Sequence, residues 1–304
     1  MKKYEATSFT YKDTIIDGAK VMGNPATIFI LEENEDFNRS EMSRIGIEEH
    51  SPMCCFVKNT NGSDYDIYYY NLDGSQAYAC GHGTIATAAV LNKIFHDSGQ
   101  FHKMGRFDFY FDKTPFKGKI EDNHILANID GDGRVFIEQK IHNYMQIFDR
   151  NDNDIKDIMR SIDLQDRDIV DMFRAVELND IIFVLSNCDV LRNLKPKFSD
   201  MAVVLERMGI RNFCATAVSD LQGFNFESRV FVPHDNLDED IACGSSNLTI
   251  SKYWKNEMNV SNFKILFPYH MNYDEKAAGG VQFVNIKEDF IRIGGYCKVS
   301  GKDV

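Results

Sequence analysis

The tripeptide Ala-Cys-Gly occurs twice, as Ala79-Cys80-Gly81 in "ACGHGTIATAAV" and as Ala242-Cys243-Gly244 in "DEDIACGSSNLTISKYW". Both copies stand just ahead of a helix-like segment, about half the chain apart. The segments around them run in the same order. "GNPATIFIL" (23–31) has a counterpart in "ELNDIIFVL" (177–185), a polar turn containing Asn that feeds an apolar strand. "SDMAVVLERMGI" (199–210) echoes "NRSEMSRIGIEE" (38–49), and "ESRVFVP" (227–233) echoes "DYDIYYYNL" (64–72). An internal duplication accounts for this, and two similar domains are expected. They span residues 1–140, with Cys80, and 141–304, with Cys243, the last strands packing back on the first domain. The charged stretch 151–168 is the expected crossing.

Local patterning fills in these domains. "ATIFIL" (26–31) and "CCFVKN" (54–59) read as strands, and 64–72 alternates like a half-buried one. The 38–49 segment reads as an amphipathic helix with Ser40 as its cap. "TIATAAVLNKIF" after Gly83 is small or apolar nearly all round, so it is expected to be a helix buried on every side. Residues 106–139 read as short strands, with "DGDG" (130–133) as a tight hairpin. That tetrad lacks the spacing and terminal Glu of a calcium loop.

Composition narrows the function. The 304 residues are 43% hydrophobic and 26% charged, enough for a core without disulfides. A net charge of −12 without a Lys/Arg cluster disfavours nucleic acid. No apolar run reaches the roughly 20 residues that span a bilayer, and "MKKYEATSFTYKD" has no apolar core of a secretory signal. Seven cysteines without a disulfide spacing point to a reducing, cytoplasmic setting. Zinc on Cys80, His82, Cys243 and His234 is disfavoured, because Cys-x-His is too short for the usual ligand pairs.

A cysteine at a helix N-terminus meets unpaired N–H groups and the positive end of the dipole, which favour its thiolate. Gly81, Gly83 and Gly244 leave the backbone bare for an approaching carboxylate. One thiolate can then remove an α-proton while a second thiol returns a proton to the opposite face. Such chemistry needs no cofactor, and no cofactor motif is present. Cys54, Cys55, Cys188, Cys214 and Cys297 lack this frame and are expected to be core thiols.

"CGHGTIAT" is similar to the first-cysteine motif of proline racemases, and "ACGSSN" resembles the second-cysteine motif of the diaminopimelate epimerase–proline racemase superfamily. The wider frame resembles the PhzF-like (phenazine biosynthesis-like) isomerases. "MGNPATIFIL" is similar to their opening signature and "DEDIACGSSN" to their "EDPATGSA" segment. The resemblance covers most of the chain from about residue 8. It implies an α/β (α+β) chain of the diaminopimelate epimerase-like fold: two pseudo-symmetric barrels, each around a central helix, with the active site in the cleft between them. It also implies a homodimer and a small carboxylate or amino-acid substrate.

The departures from the PhzF-like pattern concern the chemistry. Those isomerases use a glutamate before a "TFV"-like segment; aligning "CFV" (55–57) puts Met53 in its place, with Glu48 and Glu49 upstream. Cys243 replaces the threonine of "ATGSA". Cys80 and Cys243 are therefore the expected catalytic pair of a racemase or epimerase acting on an amino or imino acid. The resemblance implies substrate contacts at Asn24, His82 and Asp240, and Gly81, Gly83, Gly244, Ser245 and Ser246 are expected to contact substrate beside them. The glutamate–arginine pair of diaminopimelate epimerase falls on Val232 and Pro233, so diaminopimelate is not the expected substrate. Two alternatives stand: a PhzF-type isomerase shifting a proton or double bond, and a non-catalytic binding protein on the same fold.

Overall fold

The computed structural model describes residues 1–12, 15–16, 18–112, 123–147, 149–234, 238–268 and 277–300. The first half of the chain forms β1 (Lys2–Thr10), β2 (Ile15–Ile16), β3 (Ala19–Val21), β4 (Asn24–Ile30), α1 (Arg39–Glu49), β5 (Met53–Asn61), β6 (Asp64–Asn71), β7 (Gln76–Ala77), α2 (Gly81–Asp97), β8 (Arg106–Phe111), β9 (His124–Ile129) and β10 (Val135–Lys140). The second forms β11 (Tyr144–Gln146), α3 (Asn153–Ser161), β12 (Ile169–Ala175), β13 (Ile181–Leu185), α4 (Cys188–Arg192), α5 (Phe198–Met208), β14 (Phe213–Val218), β15 (Phe226–Phe231), β16 (Glu239–Asp240), α6 (Asn247–Met258), β17 (Asn262–Phe267), β18 (Ala277–Ala278), β19 (Gly280–Lys287) and β20 (Phe290–Ser300).

Two compact units result. One comprises Met1–Lys12, Gly23–Gln139 and Arg292–Val304, the other Asp13–Met22 and Lys140–Ile291. The C-terminal segment Arg292–Val304 groups with the first unit, and the N-terminal segment Asp13–Met22 groups with the second. The charged stretch at 151–168 is not a crossing: α3 buries Ile155, Ile158 and Met159 and packs on α5 inside the second unit.

In the first unit the strands close on themselves in the order β1, β4, β5, β6, β8, β9, β10, β20 and back to β1. Two adjacent pairs are parallel, β4 with β5 and β6 with β8. Parallel neighbours need a crossover, and α1 and α2 supply it. α1 starts at Asn38, whose side chain accepts from the N–H groups of Ser40 and Glu41; the cap is Asn38 rather than the expected Ser40. α2 packs against β1, β4, β5, β8 and β9. Its run from Gly83 to Ala88, with Val90 and Leu91, is buried, as the all-round apolar pattern requires. In β6 the alternation buries Tyr65, Ile67 and Tyr69.

The second unit repeats this plan. β12, β13, β14, β15, β17 and β19 are joined in order, with β13/β14 and β15/β17 the parallel pairs. α4 and α5 cross over the first pair and α6 the second. Every residue of β13, "IIFVL", is buried, with Ile181, Phe183 and Leu185 in the core cluster that includes residues of α3 and α5. α3 and α5 cover the outside through Ile158, Leu205, Phe183 and Phe213. α6 stacks Tyr253 on Phe173 and Trp254 on Phe226, and the Trp254 indole N–H donates to Thr216 Oγ1 at 3.0 Å.

Candidate active site

Cys80 is the N-cap of α2, in extended conformation (φ −139°, ψ 109°). Its Sγ accepts the Gly83 N–H at 3.4 Å and lies 3.1 Å from His82 Nδ1. The Cys80 carbonyl accepts from Thr84 Oγ1 at 2.8 Å, and that hydroxyl is 2.6 Å from the buried Tyr69 OH. The cap is thus clamped to the barrel wall through α2's first turn. Cys80 and His82 are half-buried, so the sulfur sits at a helix end that remains accessible. The donated N–H and the dipole stabilise a thiolate there.

The wall behind this turn is apolar. A Cβ on Gly83 would lie 2.7 Å from Cys55 Sγ and 3.2 Å from Met53 Cγ. The position aligned with the PhzF glutamate is therefore a buried methionine against the α2 N-terminus. Glu48 pairs with Arg44 on the outer surface of α1, and Glu49 pairs with Lys3 of β1. Asn24 opens β4 and is 4% exposed, its carbonyl accepting from Ser8 Oγ at 3.2 Å.

Cys243 occupies a different environment. α6 begins at Asn247 with Ser246 before it, so Cys243 lies ahead of the helix rather than on its cap. The expectation that both cysteines cap helices fails here, because a turn at Gly244–Ser246 is inserted before the helix. Cys243 is 5% exposed. Burial, and next Asp240, push its thiol up to about 12 against the pull of Arg211. Ser245 Oγ and Ser246 Oγ lie 3.4 and 3.5 Å from its sulfur. Asp240, in β16, is half-buried, and its Oδ1 accepts the Ala242 N–H at 3.1 Å, fixing the turn into Cys243.

Sequence reasoning missed the charged pair beneath this turn. Arg211 Nε and Nη2 donate to Asp180 Oδ1 and Oδ2 at 2.7 and 2.6 Å. Nη2 also reaches Ser245 Oγ at 3.3 Å, and Ser246 Oγ donates to Asp180 Oδ2 at 2.9 Å. Asp180 is fully buried, so only a paired and hydrogen-bonded carboxylate is tolerable there. Burial works against the Arg211 charge, but Asp180 outweighs it and raises the guanidinium above its ordinary value. The missed signal was positional: Asp180 and Arg211 lie one and two residues ahead of the segments that become the parallel neighbours β13 and β14. Nearby, burial lowers His142, against Glu177.

Cys54, Cys55, Cys188 and Cys214 are buried and Cys297 is partly so. Among the described residues, Cys188, Asp220 and Glu227 come close enough to suggest a metal. Arg192 already bonds both carboxylates, with Nε donating to Glu227 Oε2 at 2.8 Å. His234 is exposed. Among the described residues no helix is long and apolar enough to cross a membrane.

A barrel closed around a buried helix and the same strand plan in the second unit define a chain of the diaminopimelate epimerase-like fold, whose homologues are named isomerases. The chain belongs to the phenazine biosynthesis-like protein family, PhzC-PhzF, which it matches over residues 18–274. It is 20% identical over 267 residues to an uncharacterised isomerase of Halalkalibacterium halodurans, covering 88% of this chain and 86% of that one. A crystal structure of a PhzF-family protein from Enterococcus faecalis is similar with a TM-score of 0.76 and 19% identity, covering 100% and 98% of the two chains. A probable proline racemase from Agrobacterium radiobacter with bound carbonate is similar at a TM-score of 0.53 and 8% identity, covering 99% and 93%. Both structural likenesses concern the fold.

Proposed function

We propose that this chain is a cofactor-independent racemase or epimerase of an amino or imino acid, with Cys80 and Cys243 as its acid–base pair. The observation that carries the reading is a sulfur beside the start of the central helix in each unit, while the glutamate position holds the buried Met53. In one direction the Cys80 thiolate takes the α-proton and becomes a thiol. The C–H electron pair passes to a carbanion delocalised into the substrate carboxylate. The Cys243 thiol then delivers its proton to the other face and becomes the thiolate, and the reverse reaction exchanges the roles. Gly81 leaves the first turn of α2 open to the substrate carboxylate, while the Gly83 N–H is held by the Cys80 sulfur. Asn24, His82, Asp240 and Gly244 complete the proposed contacts.

The test is proton NMR of the reduced enzyme in heavy water with a panel of L- and D-amino and imino acids. Loss of an α-proton signal with the wild type, slowed at least a hundredfold in both Cys80→Ser and Cys243→Ser, is the expected result. Full exchange in either variant would sink the two-thiol mechanism. Family membership favours a second reading, a PhzF-type shift of a proton or double bond in a small carboxylate, using Asp240 and His82. That reading predicts the reverse pattern: replacing both cysteines with alanine spares turnover, and Asp240→Asn abolishes it.

A further inference from the structure

The contacts around Cys243 fix the direction of every hydrogen bond in a small ring. Arg211 carries only donors, so Ser245 Oγ must accept from Nη2. The one hydroxyl proton of Ser245 is then free to point at Cys243 Sγ, 3.4 Å away. On the other side Ser246 donates its one proton to Asp180 Oδ2. Facing Cys243 at 3.5 Å, Ser246 therefore has only lone pairs to offer. The sulfur must supply the proton in that contact. Asp180 closes the ring by accepting from both donors of Arg211.

We propose that Arg211 and Asp180 are positioning residues that hold Cys243 as the proton-bearing thiol of the resting enzyme, through a chain of donors running one way from Arg211 through Ser245, Cys243 and Ser246 to Asp180, which the Arg211–Asp180 ion pair closes into a ring. The proposal rests on the acid–base reading above and deepens it, since it assigns the resting proton to Cys243. Ser245 and Ser246 become members of this ring instead of substrate ligands. The groups facing the sulfur are consistent with it. Asp240 from the preceding strand disfavours a negative charge on the sulfur, and Arg211, which favours one, is paired with Asp180. When Cys243 gives its proton to carbon, Ser245 still donates to the new thiolate. The Ser246 contact is lost unless its hydroxyl leaves Asp180. After turnover Cys80 holds the abstracted proton, so the resting state returns when Cys80 releases a proton to water and Cys243 takes one from water, which restores the starting direction of the chain.

The two adjacent serines should have opposite effects on the thiol. Ser246→Ala removes an acceptor of the S–H and makes the thiolate easier to form. Ser245→Ala removes a donor to the thiolate and makes it harder. At pH 9, below the thiol's pKa, the rate of methylthiolation, which releases methanesulfinate, tracks the thiolate fraction. The experiment is mass-spectrometric measurement of methyl methanethiosulfonate modification at Cys243 in the full-length reduced protein without substrate. Ser246→Ala is expected to react about three- to tenfold faster and Ser245→Ala slower by a similar factor, the scale of one hydrogen bond. Ser246→Thr should restore the wild-type rate. A merely structural role would open the site and speed both alanine variants. Equal acceleration of the two, or a slower Ser246→Ala, would overturn the ring. Because no substrate is present, this result stands apart from α-proton exchange, which can fail independently.

Discussion

Gly83→Ala puts the barrel's internal fit to a quantitative test. The added Cβ would approach Cys55 Sγ to 2.7 Å and Met53 Cγ to 3.2 Å, but Cys80 Sγ only to 3.5 Å. Methionine can turn aside. Cys55 cannot, because it is fully buried in β5 between β4 and β6. Overpacking of this kind costs about 1–3 kcal/mol, while alanine in place of glycine in a helix returns up to about 1 kcal/mol. A net loss of about 1–2 kcal/mol is expected. Cys55→Ala removes the obstructing sulfur and alone should cost about 1 kcal/mol through the cavity it leaves. In the double variant the new methyl group fills that cavity. The two penalties should therefore fall short of adding by about 1–2 kcal/mol, far outside the ordinary scatter of independent sites. Urea unfolding followed by far-ultraviolet circular dichroism gives the four midpoints. A wild-type midpoint for Gly83→Ala, or strict additivity of the pair, would refute the close approach of α2 to β5.

Gly294 tests the closure of the first barrel: a Cβ there would lie 2.1 Å from the Val135 carbonyl oxygen of β10, where no side chain can yield. Gly294→Ala should leave no folded first unit, and soluble protein with native near-ultraviolet circular dichroism would contradict this. The buried thiols predict alkaline weakness. Burial is the leading cause that pushes Cys54, Cys188 and Cys243 up to about 12 from an ordinary 9.0. The folded state thus keeps protons that the unfolded chain releases. Stability is full below pH 9 and is lost as pH rises towards 12. At pH 10 each thiol removes about 1.4 kcal/mol, and three remove about 4 kcal/mol, a large share of a typical margin of about 5–15 kcal/mol. Urea midpoints under reducing conditions should fall steeply between pH 9 and 10.5, and Cys54→Ala should flatten the slope by about one proton. A flat profile would exclude buried, protonated thiols.

The elements that were legible in the sequence are those whose pattern is set locally or by their own burial. α2 announced itself because small and apolar residues surround it on all faces, and β6 because its tyrosines and isoleucine alternate with polar residues. The duplication was legible because a repeated plan repeats its turns and strands in order. The illegible parts depend on register or on a shift of one turn. Asn38 takes the cap that Ser40 was expected to hold, since the helix starts two residues earlier than the serine requires. Asp180 and Arg211 meet only because β13 and β14 run parallel in a register that pairs Ile181 with Phe213. The two Ala-Cys-Gly copies look equivalent on paper. His82-Gly83 lets α2 begin directly after Cys80, whereas Ser245-Ser246 form a turn and delay α6 to Asn247.

That delay makes the two sulfurs chemically unlike, and the difference suits the proposed reaction. Two-base catalysis needs one thiolate and one thiol, in a defined arrangement, before the substrate binds. Two thiols with identical pKa values would reach that arrangement in at most about a quarter of molecules, and only at the pH equal to their pKa. Environments that push the two apart raise the fraction towards unity over a wide range. Cys80 caps a helix, accepts the Gly83 N–H and is only half-buried. Cys243 has burial and Asp240 against the anion. On the proposed mechanism, the same departure from symmetry that hid Cys243's environment in the sequence would make Cys80 the base and Cys243 the acid in the resting enzyme. An active chain in which the serine turn was rebuilt as His-Gly, moving Cys243 onto a helix cap, should lose this division and narrow its pH–rate profile.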